Sequence, residues 1–517
     1  MLKNVITRNG KQGRHMPEWV KHACFYEIYP QSFMDFNGDG IGDLKGIISK
    51  LDYLKETGFN ALWINPIFDS PFKDAGYDVR DYRLVAERYG TNEDAILLFK
   101  EAHKRGIRVL LDLVPGHTSE EHEWFKRSSQ AELNEYSSRY IWTDSWFKGC
   151  SGYPYIGGET PRNGTYILNF FKCQPALNYG FLIRTDPWQS AVDSDEAIAT
   201  KEAMMDVMRF WLSQGCDGFR VDMADSLVKN DDENKQATAA IWSDVREMLE
   251  REFPDAALVS EWSNPLLSIK AGFHMDFCLD HIGNAYNTLV RDYENPSSIS
   301  DHSFFKTDSN GSARVLSQFL SNTLPQIQDE GYVAWISGNH DTPRISRTLS
   351  IQERKLFFLF LYTIPGVPFM YYGDEIGLSY RELPSKEGGY TRTGSRTPMQ
   401  WDINLKNYGF SECETDQLYL PVEEFPSEND ISQGAKLLSA DVASQKNDPD
   451  SLYMAVKTLL HIRQTRKELQ ADGAFAMEMQ EGQVLCYKRG DLKVCLDLKY
   501  GHGVLLDTKT NTSLFEV

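Results

Sequence analysis

The sequence predicts an α/β protein, a (β/α)8 TIM barrel with an inserted subdomain after strand 3 and a C-terminal antiparallel β-domain. Three observations predict it. Eight short, apolar, β-rich runs occur in order, at 24–30, 61–66, 109–114, 218–222, 257–261, 274–279, 332–337 and 367–372. Amphipathic stretches with helical spacing, such as 203–213 and 239–250, lie between most of them. Past residue 471 the pattern becomes an alternation, at 475–479, 483–489 and 492–498.

Each element has its own reason. Apolar runs separated by amphipathic helices argue for parallel strands buried on both faces, and eight such units argue for closure into a barrel. The third run is followed by 116–186, rich in Gly, Pro and aromatic residues, which reads as an inserted subdomain. The barrel then comprises 15–115 and 187–465. A second irregular stretch, 375–417, follows the eighth run. The alternating runs form a small β-domain, 466–517.

Composition limits the function. The 517 residues are 41% hydrophobic and 25% charged, ordinary for a soluble globular protein. Acidic residues outnumber basic ones, 74 to 54, for a net charge of −20. Nucleic acids and anionic membranes need a basic face, so neither is an expected partner. The richest apolar stretch, 356–372, is broken by Pro365, Gly366 and Pro368, and 1–20 has no apolar run. No signal peptide or membrane span is expected, and the predicted location is cytoplasmic. Eight scattered cysteines without CxxC pairs read as reduced thiols. In that setting the acceptor pattern Asn163-Gly164-Thr165 reads as chance.

In such a barrel the loops after the strands build the active site. The third run ends, with its continuation, Asp112-Leu113-Val114-Pro115-Gly116-His117. The fourth ends Gly218-Phe219-Arg220-Val221-Asp222, and the fifth ends Val259-Ser260-Glu261-Trp262. The seventh is followed by Gly338-Asn339-His340-Asp341. Three converging carboxylates suit glycosidic cleavage. One attacks the anomeric carbon and one protonates the leaving oxygen, the two about 5 Å apart in a retaining enzyme. Clustering raises one member's pKa and keeps an acid protonated. Arg220 shares a strand face with Asp222 and is expected to hold it ionised.

From the first run onward the chain resembles the α-amylase family of glycoside hydrolases, family thirteen. The segments that carry the likeness are Asp112 to His117, Gly218 to Asp222, Glu261 and Asn339-His340-Asp341. The resemblance implies Asp222 as nucleophile, Glu261 as acid/base and Asp341 as the third acid, which distorts the sugar. It implies substrate contacts from His117, Arg220 and His340.

Gln174-Pro175-Ala176-Leu177-Asn178, Arg396 to Asp402 and Asp74-Ala75-Gly76-Tyr77 resemble segments of oligo-1,6-glucosidases and trehalose synthases. There Tyr77 would stack on the sugar, and Asp74 would pair with Arg396 to close the pocket behind one glucose. Three positions depart from the family. Asp225-Ser226 replaces the Lys-His pair of endo-acting amylases. Met223 follows the nucleophile, which leaves the linkage open. Gly116 replaces an asparagine that supports a calcium in many amylases.

Near the start, Asp35-Phe36-Asn37-Gly38-Asp39-Gly40-Ile41-Gly42-Asp43 alternates oxygen ligands with small residues, without the bidentate Glu of an EF-hand. The family has a structural ion after the first strand. The expectation is a structural Ca2+ or Mg2+ held by Asp35, Asn37, Asp39, the Ile41 carbonyl and Asp43.

The expected activity is that of a retaining, exo-acting α-glucosidase on small oligosaccharides, working as a monomer or homodimer. A glucosyl-transferring isomerase such as trehalose synthase is the alternative. A non-catalytic carbohydrate-binding member ranks below both, because all three acids are present.

Overall fold

The apolar runs become strands with no wet face. Every residue of β1 (Phe25–Ile28) and β2 (Ala61–Ile64) is buried, as expected where a parallel sheet is covered on both sides. The structure is a computed structural model describing residues 14–150, 152–291, 302–328, 330–388, 392–423 and 440–517. After β2 comes an antiparallel hairpin of β3 (Phe68–Asp69) and β4 (Asp81–Val85). Next are β5 (Arg108–Leu113) and a second hairpin, β6 (Tyr155–Gly157) with β7 (Thr165–Ile167). Then follow β8 (Gly218–Val221), β9 (Ala257–Ser260), β10 (Met275–Phe277), β11 (Tyr332–Ile336) and β12 (Val367–Tyr371).

The order β1-β12-β11-β10-β9-β8-β5-β2 closes on itself, with every neighbouring pair parallel. The eight predicted runs are these eight strands, seven of them slightly shorter than their runs and β5 of equal length but shifted by one residue. Gly218 opens β8 at φ +138°, where an added Cβ would strike the Ala257 carbonyl of β9, so the close approach of these strands requires glycine.

Helices cover the barrel. The helix Asp195–Gln214 starts on the Ser194 side chain, which accepts from Ala197 N, and ends at the left-handed Gly215. It buries Met204, Met208 and Trp211. The helix Ile351–Thr363 is opened by a Ser350/Glu353 capping box and is buried continuously from Leu356 to Thr363. It is apolar all round because it packs against both the helix Leu452–Thr465 and the C-terminal sheet. Among the described residues no helix is long and apolar enough to cross a membrane.

That sheet has five antiparallel strands in sequence order, β13 (Ala476–Glu481), β14 (Val484–Arg489), β15 (Leu492–Asp497), β16 (His502–Asp507) and β17 (Thr512–Glu516). The three predicted alternating runs are β13 to β15. The register places Cys486 opposite Cys495, and the two form a disulfide. This corrects the expectation of eight reduced thiols. Both lie the same number of residues from the β14–β15 turn, so hairpin pairing brings them together although no CxxC spacing announces it. The other six cysteines are free and buried.

Within 116–186, the β6–β7 hairpin and a helix, Glu123–Ser128, are joined to the rest by isolated bridges such as His117 to Ala176 and Tyr140 to Leu177. Ile141, Cys150, Ile167, Ala176 and Phe181 form a small core of their own there. The apolar Ala176 fits that surrounding.

Candidate active site

The carboxylates meet at the C-terminal mouth of the barrel because each ends, or closely follows, a strand. Asp222 is the first residue after β8, Glu261 the first after β9, and Asp341 lies on the loop after β11. The sheet ladder continues one residue past each of the first two strands. Asp222 N donates to Leu113 O (2.8 Å), and Glu261 N to Val221 O (3.0 Å).

Arg220, on β8, ties the acids together from beneath. Its Nη1 contacts Asp112 Oδ1 at 2.8 Å and Asp222 Oδ1 at 3.1 Å, and its Nη2 contacts Glu261 Oε2 at 3.0 Å. One guanidinium thus faces three carboxylates, and its own side chain is only 1% exposed. Burial and the Glu261 charge push the Asp222 carboxyl well above the usual range, against the pull of Arg220. The Arg220–Asp222 ion pair is present as expected, but it does not by itself keep Asp222 charged. Burial also pushes Asp112 up, to about 6, although Arg220 opposes it. Met223 takes φ +43°, which turns its amide onto Glu261 Oε2 at 2.9 Å.

Asp341 lies among cations. Arg392 Nη1 and Arg396 Nη2 contact its Oδ1 at 2.7 and 3.0 Å. Burial would raise this carboxyl, but the facing His340 Nε2 and the charges of Arg392 and Arg396 together hold it well below the ordinary value. The partner of Asp74 is Arg392, whose Nη2 lies 2.8 Å from Asp74 Oδ1. This corrects the expected Asp74–Arg396 pair. Arg396 instead donates to the His340 carbonyl (2.8 Å) and to Asp341. The short 3-10 helix Thr393–Ser395 separates the two arginines, so both reach Asp341 but only the first reaches across to Asp74. Gln174 Nε2 donates to Asp74 Oδ2 at 2.8 Å, fastening the 174–178 segment to the same acid.

Tyr77 and His340 lie face to face, ring centres 5.4 Å apart and 6° from parallel. Tyr77 Oη donates to Asp112 Oδ2 (2.9 Å) and lies 2.7 Å from His340 Nε2. His117 Nε2 meets the Tyr77 carbonyl at 3.1 Å, and burial pushes its pKa down to about 3, so it is neutral.

Gly116 leaves a space that Asn169 fills. A Cβ at 116 would lie 2.9 Å from Asn169 Nδ2. Asn169 Nδ2 contacts His117 Nδ1 (3.1 Å), and its Oδ1 accepts from Lys229 Nζ (2.9 Å). Lys229 also donates to Ser226 O, and burial pushes its pKa down to about 8.

In the loop after β1, each oxygen side chain meets backbone amides. Asp35 accepts from Gly38 and Gly40, Asn37 from Asp39, and Asp39 from Ile41. Asp43 accepts from Phe36, Asn37 and Gly46 and caps the helix Leu44–Ser49. Among the described residues no three His, Cys, Asp or Glu side chains already converge as a metal cage. The donor set itself, four oxygen side chains and one carbonyl in nine residues, fits a hard divalent ion.

Asp222, Glu261, Asp341, Asp74, Tyr77, His117, Arg220, His340 and Arg396 thus gather in one site, and Asp35, Asn37, Asp39, Ile41 and Asp43 lie apart in the loop after β1. Sequence reasoning missed Arg392, Asn169 and Lys229, which are defined only by what they touch.

The alpha amylase catalytic domain model matches residues 27–472. The trehalose synthase/amylase of Mycolicibacterium smegmatis is 32% identical over 88% of this chain and 78% of its own. The oligo-1,6-glucosidase of Heyndrickxia coagulans is 31% identical over 90% of this chain and 88% of its own. Among solved structures, an isomaltulose synthase mutant from Erwinia rhapontici superposes with a TM-score of 0.71 at 26% identity, covering 95% of this chain and 91% of that one.

Proposed function

The chain belongs to the α-amylase family of glycoside hydrolases, and on that premise we propose that it is a retaining, exo-acting α-glucosidase that removes terminal glucose from short α-glucosides. The observation that carries this reading is the bridge Asp74–Arg392–Asp341. A fixed row of charges beside the third acid gives hydrogen bonds to the hydroxyls of one terminal sugar and bars a longer chain from passing.

Asp222 and Glu261 are both held on one guanidinium, and this closeness supports the covalent, retaining route, in which the two carboxyl groups stand nearer than in inverting enzymes. Asp222 attacks the anomeric carbon while Glu261 gives its proton to the departing oxygen. Glu261 then takes a proton from the water that releases glucose. Asp341, held ionised, meets the positive charge that develops on the ring.

The relatives named trehalose synthase and isomaltulose synthase favour a second reading, in which a sugar hydroxyl replaces that water. Chromatography of products from maltose, isomaltose, sucrose, trehalose and maltotriose tests both. Glucose alone, released from chain ends, supports hydrolysis, and a new disaccharide supports the isomerase. The proposal includes a structural Ca2+ or Mg2+ bound by Asp35, Asn37, Asp39, Ile41 and Asp43, which would brace the loop after β1. It also includes a cytoplasmic monomer or homodimer. The six free, buried cysteines support the location, and the Cys486–Cys495 disulfide stands against it.

A further inference from the structure

The barrel floor under the site holds an acid that the mechanism above does not use. Glu27 lies on β1, between Trp63 of β2 and Tyr371 of β12, and is 1% exposed. Its Oε1 is 2.8 Å from His340 Nδ1, while its Oε2 is buried with no hydrogen-bond partner among the described residues. Asn65 Nδ2 also meets His340 Nδ1, at 3.0 Å.

Counting protons along this chain decides its state. Tyr77 gives its hydroxyl proton to Asp112 Oδ2, the carboxylate that pairs through Oδ1 with Arg220. The Tyr77 oxygen can then only accept, so the group 2.7 Å away, His340 Nε2, must be the N–H. Burial keeps this imidazole neutral, pushing its pKa well below 6.5. Nδ1 is therefore bare and can only accept. A carboxylate at 2.8 Å from a bare ring nitrogen would set two acceptors against each other, and a carboxylic acid would not. The orphaned Oε2 agrees, because a buried carbonyl oxygen without a partner is tolerated far better than a buried anionic one.

We propose that Glu27 is a neutral, protonated positioning residue whose O–H donates to His340 Nδ1, fixing the tautomer that presents Nε2–H to Tyr77 and Asp341. The relay runs Glu27, His340, Tyr77, Asp112. The groups around Glu27 are His340 and Asp341 after β11, Asp112 on β5, Arg220 on β8, Asn65 after β2 and Tyr371 on β12. Two of them, Asp341 and Asp112, are carboxylates, and Arg220 is already shared among three carboxylates, so a further negative charge here lacks a counterion. Burial, the largest influence, raises the Glu27 carboxyl well above the usual range, against the pull of the Asn65 amide and of Arg220. The role in turnover rests on the glucosidase reading; the proton on Glu27 does not.

The test has two independent arms. In infrared difference spectra of wild type against Glu27→Gln, a protonated-carboxyl C=O band is expected in the wild type and lost in the variant. Its absence would overturn the proposal whether or not any α-glucoside is turned over. In the second arm, Glu27→Leu is expected to lower kcat at least tenfold with KM within threefold. Glu27→Gln, whose amide N–H can replace the acid O–H, should rescue most of that loss and keep both limbs of the pH–rate profile in place. If Glu27 were a carboxylate, Gln would remove a buried negative charge and move both limbs to lower pH. That shift, or a Leu variant with wild-type kcat, would refute the proposal. The Gln profile and the infrared band decide it even if the Leu variant fails to fold.

Discussion

Replacing Arg392 with alanine should separate the terminal-glucose clamp from the rest of the catalytic machinery. Arg392 makes two charge-assisted contacts, to Asp74 at 2.8 Å and Asp341 at 2.7 Å. Each such bond is worth about 1.5–3 kcal/mol. Asp74 keeps Gln174 and Asp341 keeps Arg396, so the loss falls short of the full sum. We take about 2–4 kcal/mol of transition-state binding, which is roughly 30- to 1000-fold in kcat/KM at about 1.4 kcal/mol per decade. The acid limb should also move. Arg392 helps hold Asp341 below its ordinary pKa, and the ionised form is the one required. Without it the carboxyl climbs, protonates at higher pH, and activity is lost earlier as pH falls. Arg392→Lys keeps a charge but not a fork that spans both acids, so it should lie between wild type and alanine. The assay is kcat/KM against pH for maltose and for maltotriose to maltohexaose, with product analysis. A variant within threefold of wild type, with an unmoved acid limb and unchanged chain-length preference, would refute the clamp.

Asp222→Asn should lower activity by about 10^4 or more, with no trapped glycosyl-enzyme detected by mass spectrometry. Glu261→Gln should slow natural glucosides far more than aryl glucosides with good leaving groups in the first step; equal slowing would remove its acid role. For Lys229, the folded pKa of about 8 lies below the unfolded value near 10.5. The unfolded state therefore binds more protons in that window, and this residue adds stability as pH rises from 8 to 10.5, roughly 3 kcal/mol at most. Lys229→Met lacks that gain, so its melting temperature should fall progressively behind wild type over the same range; a constant difference would contradict the shift. For the loop after β1, elemental analysis should find a stoichiometric divalent ion whose chelation lowers the melting temperature in wild type but not in Asp35→Asn. Metal-free protein that melts unchanged with chelator would remove the site.

The fold was legible because barrel strands have no wet face, so they appear as short apolar runs that helices separate. The catalytic acids were legible because a strand end fixes where its next side chain points: Asp222 and Glu261 each follow a buried strand by one residue. The pairing of Asp74 was not, because Arg392 and Arg396 lie on an irregular loop whose path no periodicity encodes. Glu27 was hidden for a different reason. In sequence it is one polar letter in an apolar strand, and only barrel closure brings β1 beneath the loop after β11. The Cys486–Cys495 pair required hairpin register, which local pattern gives only once the turn is known.

Lys229 reaches Asn169 in the inserted segment from the loop after β8, beside Gly116 and His117. The cation at that seam is part of the polypeptide. Its local concentration does not depend on the medium, it cannot be dialysed away or outcompeted, and no chelator reaches it. Its state follows acidity instead. Above about pH 8 the ammonium becomes an amine, and the seam keeps hydrogen-bond donors while shedding a charge that burial disfavours. The join between insert and barrel is therefore indifferent to scarcity of ions and eased, not loosened, by alkali.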